Sequence, residues 1–121
     1  MQLRETVQRA ERFPVQMTVK VVAGSNAYRA ELVSLSLSGA FIEAGFPIGT
    51  QLRLYLPLPG GEALSVSARV VREGWCQKLV DKPRIDNLAI RALGVGVAFE
   101  GLDEPDERRL RDFLELVNDR S

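Results

Sequence analysis

Val15-Gln16-Met17-Thr18-Val19-Lys20-Val21 alternates apolar and polar side chains at every step. A period of two is that of a strand with one buried face. Gly24-Ser25-Asn26 follows and has the composition of a turn. Residues 28–35 then read as the returning strand, with Tyr28, Ala30, Leu32 (or Val33) and Leu35 as inward positions. Ser36 to Gly39 is a bend of small residues, and residues 40–44 form a third strand that stops at Gly45. After the turn Pro47-Ile48-Gly49, Leu52, Leu54 and Leu56 alternate with Gln51, Arg53 and Tyr55. Residues 57–61, with two prolines and two glycines, break that strand. Leu64, Val66, Ala68 and Val70 mark a fifth strand over 64–72. Val95, Val97 and Phe99 share one face of a sixth over 94–99. Six short strands at hairpin spacing predict a mainly β fold, a small antiparallel barrel or sandwich. Residues 74–93 read as less regular, with Asp81-Lys82-Pro83-Arg84 as a loop and 88–93 as an extra strand segment.

The two ends differ from this pattern. Leu110, Phe113, Leu114 and Val117 fall at i, i+3, i+4 and i+7, one stripe of a helix over about 103–118. Asp103 is its N-cap, Pro105 is tolerated in the first turn, and Glu104 and Asp106 oppose the helix dipole. Arg108, Arg109 and Arg111 read as a solvated helix face. At the other end Leu3, Val7 and Ala10 recur at spacings of four and three, which fits a short helix or an ordered arm over 1–12. The chain therefore divides into that arm and a barrel with its C-terminal helix over 13–121.

Composition narrows the function. A chain of 121 residues, 45% apolar and 26% charged, supports one ordinary core without metal or disulfide staples. Cys76 is the one cysteine and has no internal partner for a disulfide. No apolar run is long enough for a membrane helix, and the charged N-terminus predicts no signal peptide. Together these predict a cytoplasmic protein with no membrane insertion. There is no histidine, which removes the histidine-based triads, the usual zinc ligands and the commonest general base. We therefore expect no enzyme, no catalytic residue, no metal and no cofactor. Sixteen basic and sixteen acidic residues cancel, which argues against DNA or RNA as a partner. Thirteen of the basic residues are Arg, whose planar fork suits phosphate and guanine.

Two motifs combine. Arg9 and Arg12 stand just before Phe13-Pro14, and Ser34-Leu35-Ser36-Leu37-Ser38-Gly39 leads into Ala40-Phe41-Ile42. Gly94-Val95-Gly96-Val97-Ala98-Phe99 then leads into the acidic-capped helix. From about residue 8 to 117 this layout resembles the PilZ domain family, bacterial receptors for cyclic di-GMP. The family pattern is RxxxR before the first strand, then [D/N]xSxxG at the bend between the second and third strands. A GxGVxF strand and a C-terminal helix follow. The resemblance implies a small six-stranded antiparallel β-barrel with a C-terminal helix. It implies cyclic di-GMP as ligand, held by Arg9, Arg12, Ser34, Ser36 and Gly39. It also implies signal relay to a protein partner and is compatible with a homodimer. Arg12 falls on the second arginine of the motif, Ser36 and Gly39 on its serine and glycine. Gln8 stands where the first arginine is expected, with Arg9 one residue away. Ser34 stands where the family has Asp or Asn.

The ligand's chemistry explains these residue types. Arginine pairs with phosphate, reads guanine O6/N7 and stacks on the base. A carboxylate accepts from guanine N–H groups, which serine does more weakly. Gln8 and Ser34 each remove a charge-assisted contact of roughly 1.5–3 kcal/mol. The expected receptor has weakened affinity; the alternative is a degenerate adaptor that acts only through protein contacts. Trp75 reads as a core or interface aromatic, stacking on a base being its other use.

Overall fold

The computed structural model describes residues 13–82 and 85–119. Six strands and one helix follow in order: β1 Phe13–Ala23, β2 Asn26–Leu35, β3 Gly39–Glu43, β4 Gln51–Leu56, β5 Leu64–Lys82, β6 Ile85–Glu100 and α1 Glu104–Asp119. The strands close into an antiparallel barrel in the order β1-β2-β3-β6-β5-β4. The expected arm over 1–12, with Arg9 and Arg12, lies outside the described residues.

The period-two pattern places the core. Inward residues meet inward residues across the ladders: Leu54 pairs with Val66, Leu52 with Ala68 and Val70 with Val97. All six are buried in one cluster with Val19, Val21, Leu32, Leu35, Ala40, Ile42 and Val95. A barrel of this size leaves an open end, and α1 covers it. Leu110 and Leu114 of its stripe join the core cluster, with Phe113 packed against it. Asp103 caps the helix as expected, its Oδ1 accepting the Asp106 N–H at 3.0 Å. Arg109 is not merely solvated. Its Nη2 donates to the Leu58 carbonyl at 3.1 Å and ties α1 to the connection after β4.

Four expectations change. Residues 74–93 are not irregular: β5 and β6 continue through them as one hairpin, paired from Ser67↔Glu100 to Lys82↔Ile85 with register shifts between Val70 and Arg72 and between Val80 and Lys82. Of the loop expected at residues 81–84, Asp81 and Lys82 belong to β5, and Pro83 and Arg84 lie outside the described residues. From Gly74 and Gly94 outward these strands pair only with each other, since β3 ends at Ile42↔Val95 and β4 at Gln51↔Arg69. Trp75 lies at the root of this ribbon opposite Leu93, and both are more than half exposed. Trp75 is therefore no core residue. Tyr28, expected inward, is exposed and sets its ring edge-on to Phe46 at 5.5 Å.

Glu100 supplies a pH handle. Its carboxylate accepts from Gln51 Nε2 at 2.5 Å and from Arg69 Nε at 3.1 Å. Those hydrogen bonds and the guanidinium's charge hold it below the usual glutamate range. A depressed folded-state pKa contributes stability at neutral pH that is lost as pH falls through it. The Tm difference between the protein and Glu100→Gln is expected to be small at pH 7, since the group is exposed, and to disappear as pH falls through the carboxyl's lowered pKa. Melting curves over pH 3–7 check this; a difference that grows as pH falls contradicts it.

Candidate functional site

The site begins with two β-bulges. Leu32 pairs with Ile42 and Ser34 with Phe41, so Val33 is one residue too many on β2. A strand without that extra residue would turn Ser34 inward and Leu35 outward. The bulge reverses both: Leu35 enters the core cluster, and Ser34 shares the outer face with Phe41. On β5 the same happens at Val71. Val70 pairs with Val97 and Arg72 with Gly96, which turns Arg72 outward. One outer row therefore crosses five strands as Pro14, Ser34, Phe41, Gly96 and Arg72.

This row has a distinct chemistry. Phe41 is fully buried although it faces out of the barrel. The Arg72 guanidinium lies over its ring at 5.2 Å from the centroid. A Cβ on Gly96 would come within 3.0 Å of Arg72 Cγ and Nε, so glycine leaves room for the arginine stem. Arg72 has no ion-pair partner among the described residues and keeps its fork available. Nothing local in the sequence gives Arg72 a role in the site. Its signal was a strand end in arginine opposite a glycine-rich strand, but the bulge that aims it has no sequence mark.

The bend beside this row is closed by its own side chains. Ser36 Oγ accepts the N–H groups of Ser38 and Gly39, both at 3.1 Å. Its own hydrogen reaches Gly39 O at 3.3 Å or Ser38 Oγ at 3.2 Å. The Ser36 N–H donates to Gly39 O, and Phe99 N–H to Ser38 O. Ser36→Ala is expected to lower stability by about 1–2 kcal/mol, because two N–H groups lose their acceptor. Urea unfolding measures it; an unchanged midpoint removes this role. At Gly39 the β3 backbone approaches β6 so closely that a Cβ would overlap the Val97 carbonyl.

Of the expected site residues, the structure places Ser34, Ser36 and Gly39 at one end of β2 and β3. Ser34 and Ser36 are both buried. Arg9 and Arg12 are outside the described residues. Phe13, the first described residue, pairs with Leu35, and Pro14 pairs with Ser34. A groove of about 460 Å³ opens further along, lined by Glu43, Glu73, Leu93 and Gly94. Its two carboxylates suit a phosphate poorly. Among the described residues no cluster of His, Cys, Asp and Glu could hold a metal, and no helix is long and apolar enough to cross a membrane.

Comparison with known proteins agrees with this geometry. No curated protein matches the chain. Among solved structures, the PilZ domain of YcgR from Escherichia coli, described with c-di-GMP, superposes with a TM-score of 0.61 at 18% identity, over 94% of each chain. The PilZ domain of CeSA from a cellulose-synthesizing bacterium gives 0.58 at 21% identity, over 88% of this chain and 98% of that one. MrkH, described as a c-di-GMP-dependent transcription regulatory factor, gives 0.67 at 12% identity; 94% of this chain covers 52% of it. At such identities the superpositions establish the fold, a six-stranded barrel with a C-terminal helix. The sequence profile of PilZ domains matches residues 6–116, from the arm through the bend and the glycine-rich strand into α1. With nearly the whole length matched and the barrel shared, the chain belongs to the PilZ domain family.

Proposed function

We propose that this protein is a cyclic di-GMP receptor module of weakened affinity that relays ligand binding to a protein partner. The observation that carries the reading is the outer row. The bulge at Val33 turns Ser34 onto the same face as Phe41, Gly96 and Arg72. Phe13 and Pro14, which follow the arginine motif in the sequence, pair with Leu35 and Ser34. Arg12 and Arg9 would supply phosphate and guanine contacts. Ser34 would accept from a guanine edge, and Gly39 would act through the bend it closes, since the Val97 carbonyl fills the space its Cβ would take. Ser36 would act mainly by holding the bend, since its hydroxyl is already engaged there. Arg72 would add a fork at the far end of the row, about 14 Å from Ser34 at three strand spacings. Movement of the arm on binding would change what a partner meets.

A second reading also rests on particular residues. Gln8 and Ser34 stand where the family carries charge, which suits an adaptor that no longer takes the nucleotide. Isothermal titration with cyclic di-GMP, with GTP as control, separates the two. Saturable heat at micromolar ligand that disappears in Arg12→Ala, with Tm unchanged, supports the receptor. No heat at high ligand concentration supports the adaptor and overturns the receptor.

A further inference from the structure

The face of the barrel away from the bend carries positive charge without a counterion. Lys20 on β1 stands directly opposite Arg29 on β2, and opposite Tyr55 on β4. Like charges at directly opposed positions of an antiparallel pair are unfavourable. Arg53, diagonal to Lys20, spends its fork on neutral groups, donating to Ser65 Oγ at 2.7 Å and Ser67 Oγ at 2.8 Å. Glu31 is the carboxylate placed nearest, opposite Thr18, whose hydroxyl it accepts at 3.3 Å. Among the described residues neither Lys20 nor Arg29 has an ion-pair partner. The Lys20 ammonium sits over the Tyr55 ring at 5.2 Å instead.

Beside these cations the barrel wall is incomplete. β1 runs over eleven residues but pairs with β4 only at Lys20, Val21 and Val22. Where that ladder stops, a groove of about 450 Å³ opens between Thr18, Val19 and Lys20 on one side and Pro57 and Ala63 on the other, with Arg29 and Tyr55 at its rim. Pro57 and Ala63 are exposed in it, Val19 is almost fully buried, and Lys20 and Arg29 are the charged residues of its lining. The groove is open along its length, whereas a small-molecule site encloses most of its ligand.

We propose that this groove docks an extended, acidic segment of a partner protein, apolar side chains toward Pro57 and Ala63 and carboxylates toward Lys20 and Arg29. A strand with carboxylates at alternate positions presents that pattern, because its side chains alternate between faces. The carboxylates would relieve the repulsion between Lys20 and Arg29. The site is separate from the nucleotide face: Arg29 is five residues from Ser34 along β2, about 17 Å. It does not depend on nucleotide binding.

The test uses the whole protein, without nucleotide, and a fluorescein-labelled octapeptide of alternating Glu and Val. Fluorescence anisotropy at low ionic strength is expected to show saturable binding that weakens as salt is raised. Lys20→Glu and Arg29→Glu are each expected to weaken it at least about tenfold. Arg108→Glu, on the exposed side of α1, is expected to leave it unchanged. Lys20→Glu also removes the like-charge opposition to Arg29, so its Tm should not fall. Lys20→Gln and Arg29→Gln provide neutral replacements and should each weaken the peptide severalfold. No binding, equal binding of an alternating Lys and Val octapeptide, or binding indifferent to Lys20 and Arg29 would overturn the proposal. So would binding of inorganic triphosphate at these residues without the peptide, which would mark a small-anion site.

Discussion

Gly39→Ala is expected to destabilise the barrel by about 3 kcal/mol or more, lowering Tm by on the order of 10–20 °C. The cause is space rather than backbone angle. A Cβ at this position would overlap the Val97 carbonyl oxygen and crowd the Ala98 Cα. Both are backbone atoms of β6, held by the β3–β6 ladder and by the bond from Phe99 N–H to Ser38 O. No side chain can rotate away, so relief requires the strands to part, with loss of ladder hydrogen bonds. Gly94 is the same case at the other end of that ladder, where a Cβ would overlap the Ile42 carbonyl. Gly45 is the control, because a Cβ there meets nothing within 4 Å. Thermal melts of Gly39→Ala, Gly94→Ala and Gly45→Ala decide the matter. Equal Tm values for all three would show that the two strands are not held this close.

Gln8→Arg with Ser34→Asp is expected to tighten cyclic di-GMP binding by on the order of a hundredfold or more. Each change restores one charge-assisted contact of the family pattern. The Ser34→Asp carboxylate would sit on the outer row, where Ser34 is only 7% exposed. Without ligand it is therefore partly desolvated, and a modest fall in Tm is expected. Saturating nucleotide should reverse that fall, because a ligand that binds only the folded state raises stability with its concentration. Titration and melting of the double variant, with and without cyclic di-GMP, read both effects. A double variant that binds no better than the parent would show that the outer row is not where the dinucleotide docks.

Much of the fold was legible because burial forces a period on the residues. The alternations 15–21, 51–56 and 64–70 became β1, β4 and β5, and the stripe at Leu110, Phe113, Leu114 and Val117 became the plug of the open end. Gly24-Ser25-Asn26 and the small-residue bend at 36–39 were legible from turn chemistry. The ribbon over 74–94 was not. Its residues show no clean alternation in the sequence, and the register of β5 on β6 defines it. Tyr28 pairs with the buried Val21, as its alternation implied, but lies close to the β1–β2 turn, where its ring meets Phe46 and stays exposed.

The motifs that mark the family, Arg12 before the first strand and Ser36 with Gly39 in the bend, were also in the sequence, since they are local. The spacing of Leu32 and Leu35 carried the one hint of a bulge: two inward residues three apart cannot share a face of a regular strand. Which residue absorbs the extra step depends on the partner strand. Pairing with β3 decided that Val33 is the bulge and that Ser34 faces out, and pairing with β6 did the same for Val71 and Arg72. The sequence alone determined the strands, the helix and the family, because each is written in nearest-neighbour periodicity or a local motif. Only the tertiary structure decided that Ser34, Phe41, Gly96 and Arg72 form one surface, and that Lys20 and Arg29 oppose each other across two strands. Such neighbours are set by inter-strand register, which no single strand carries in its own residues.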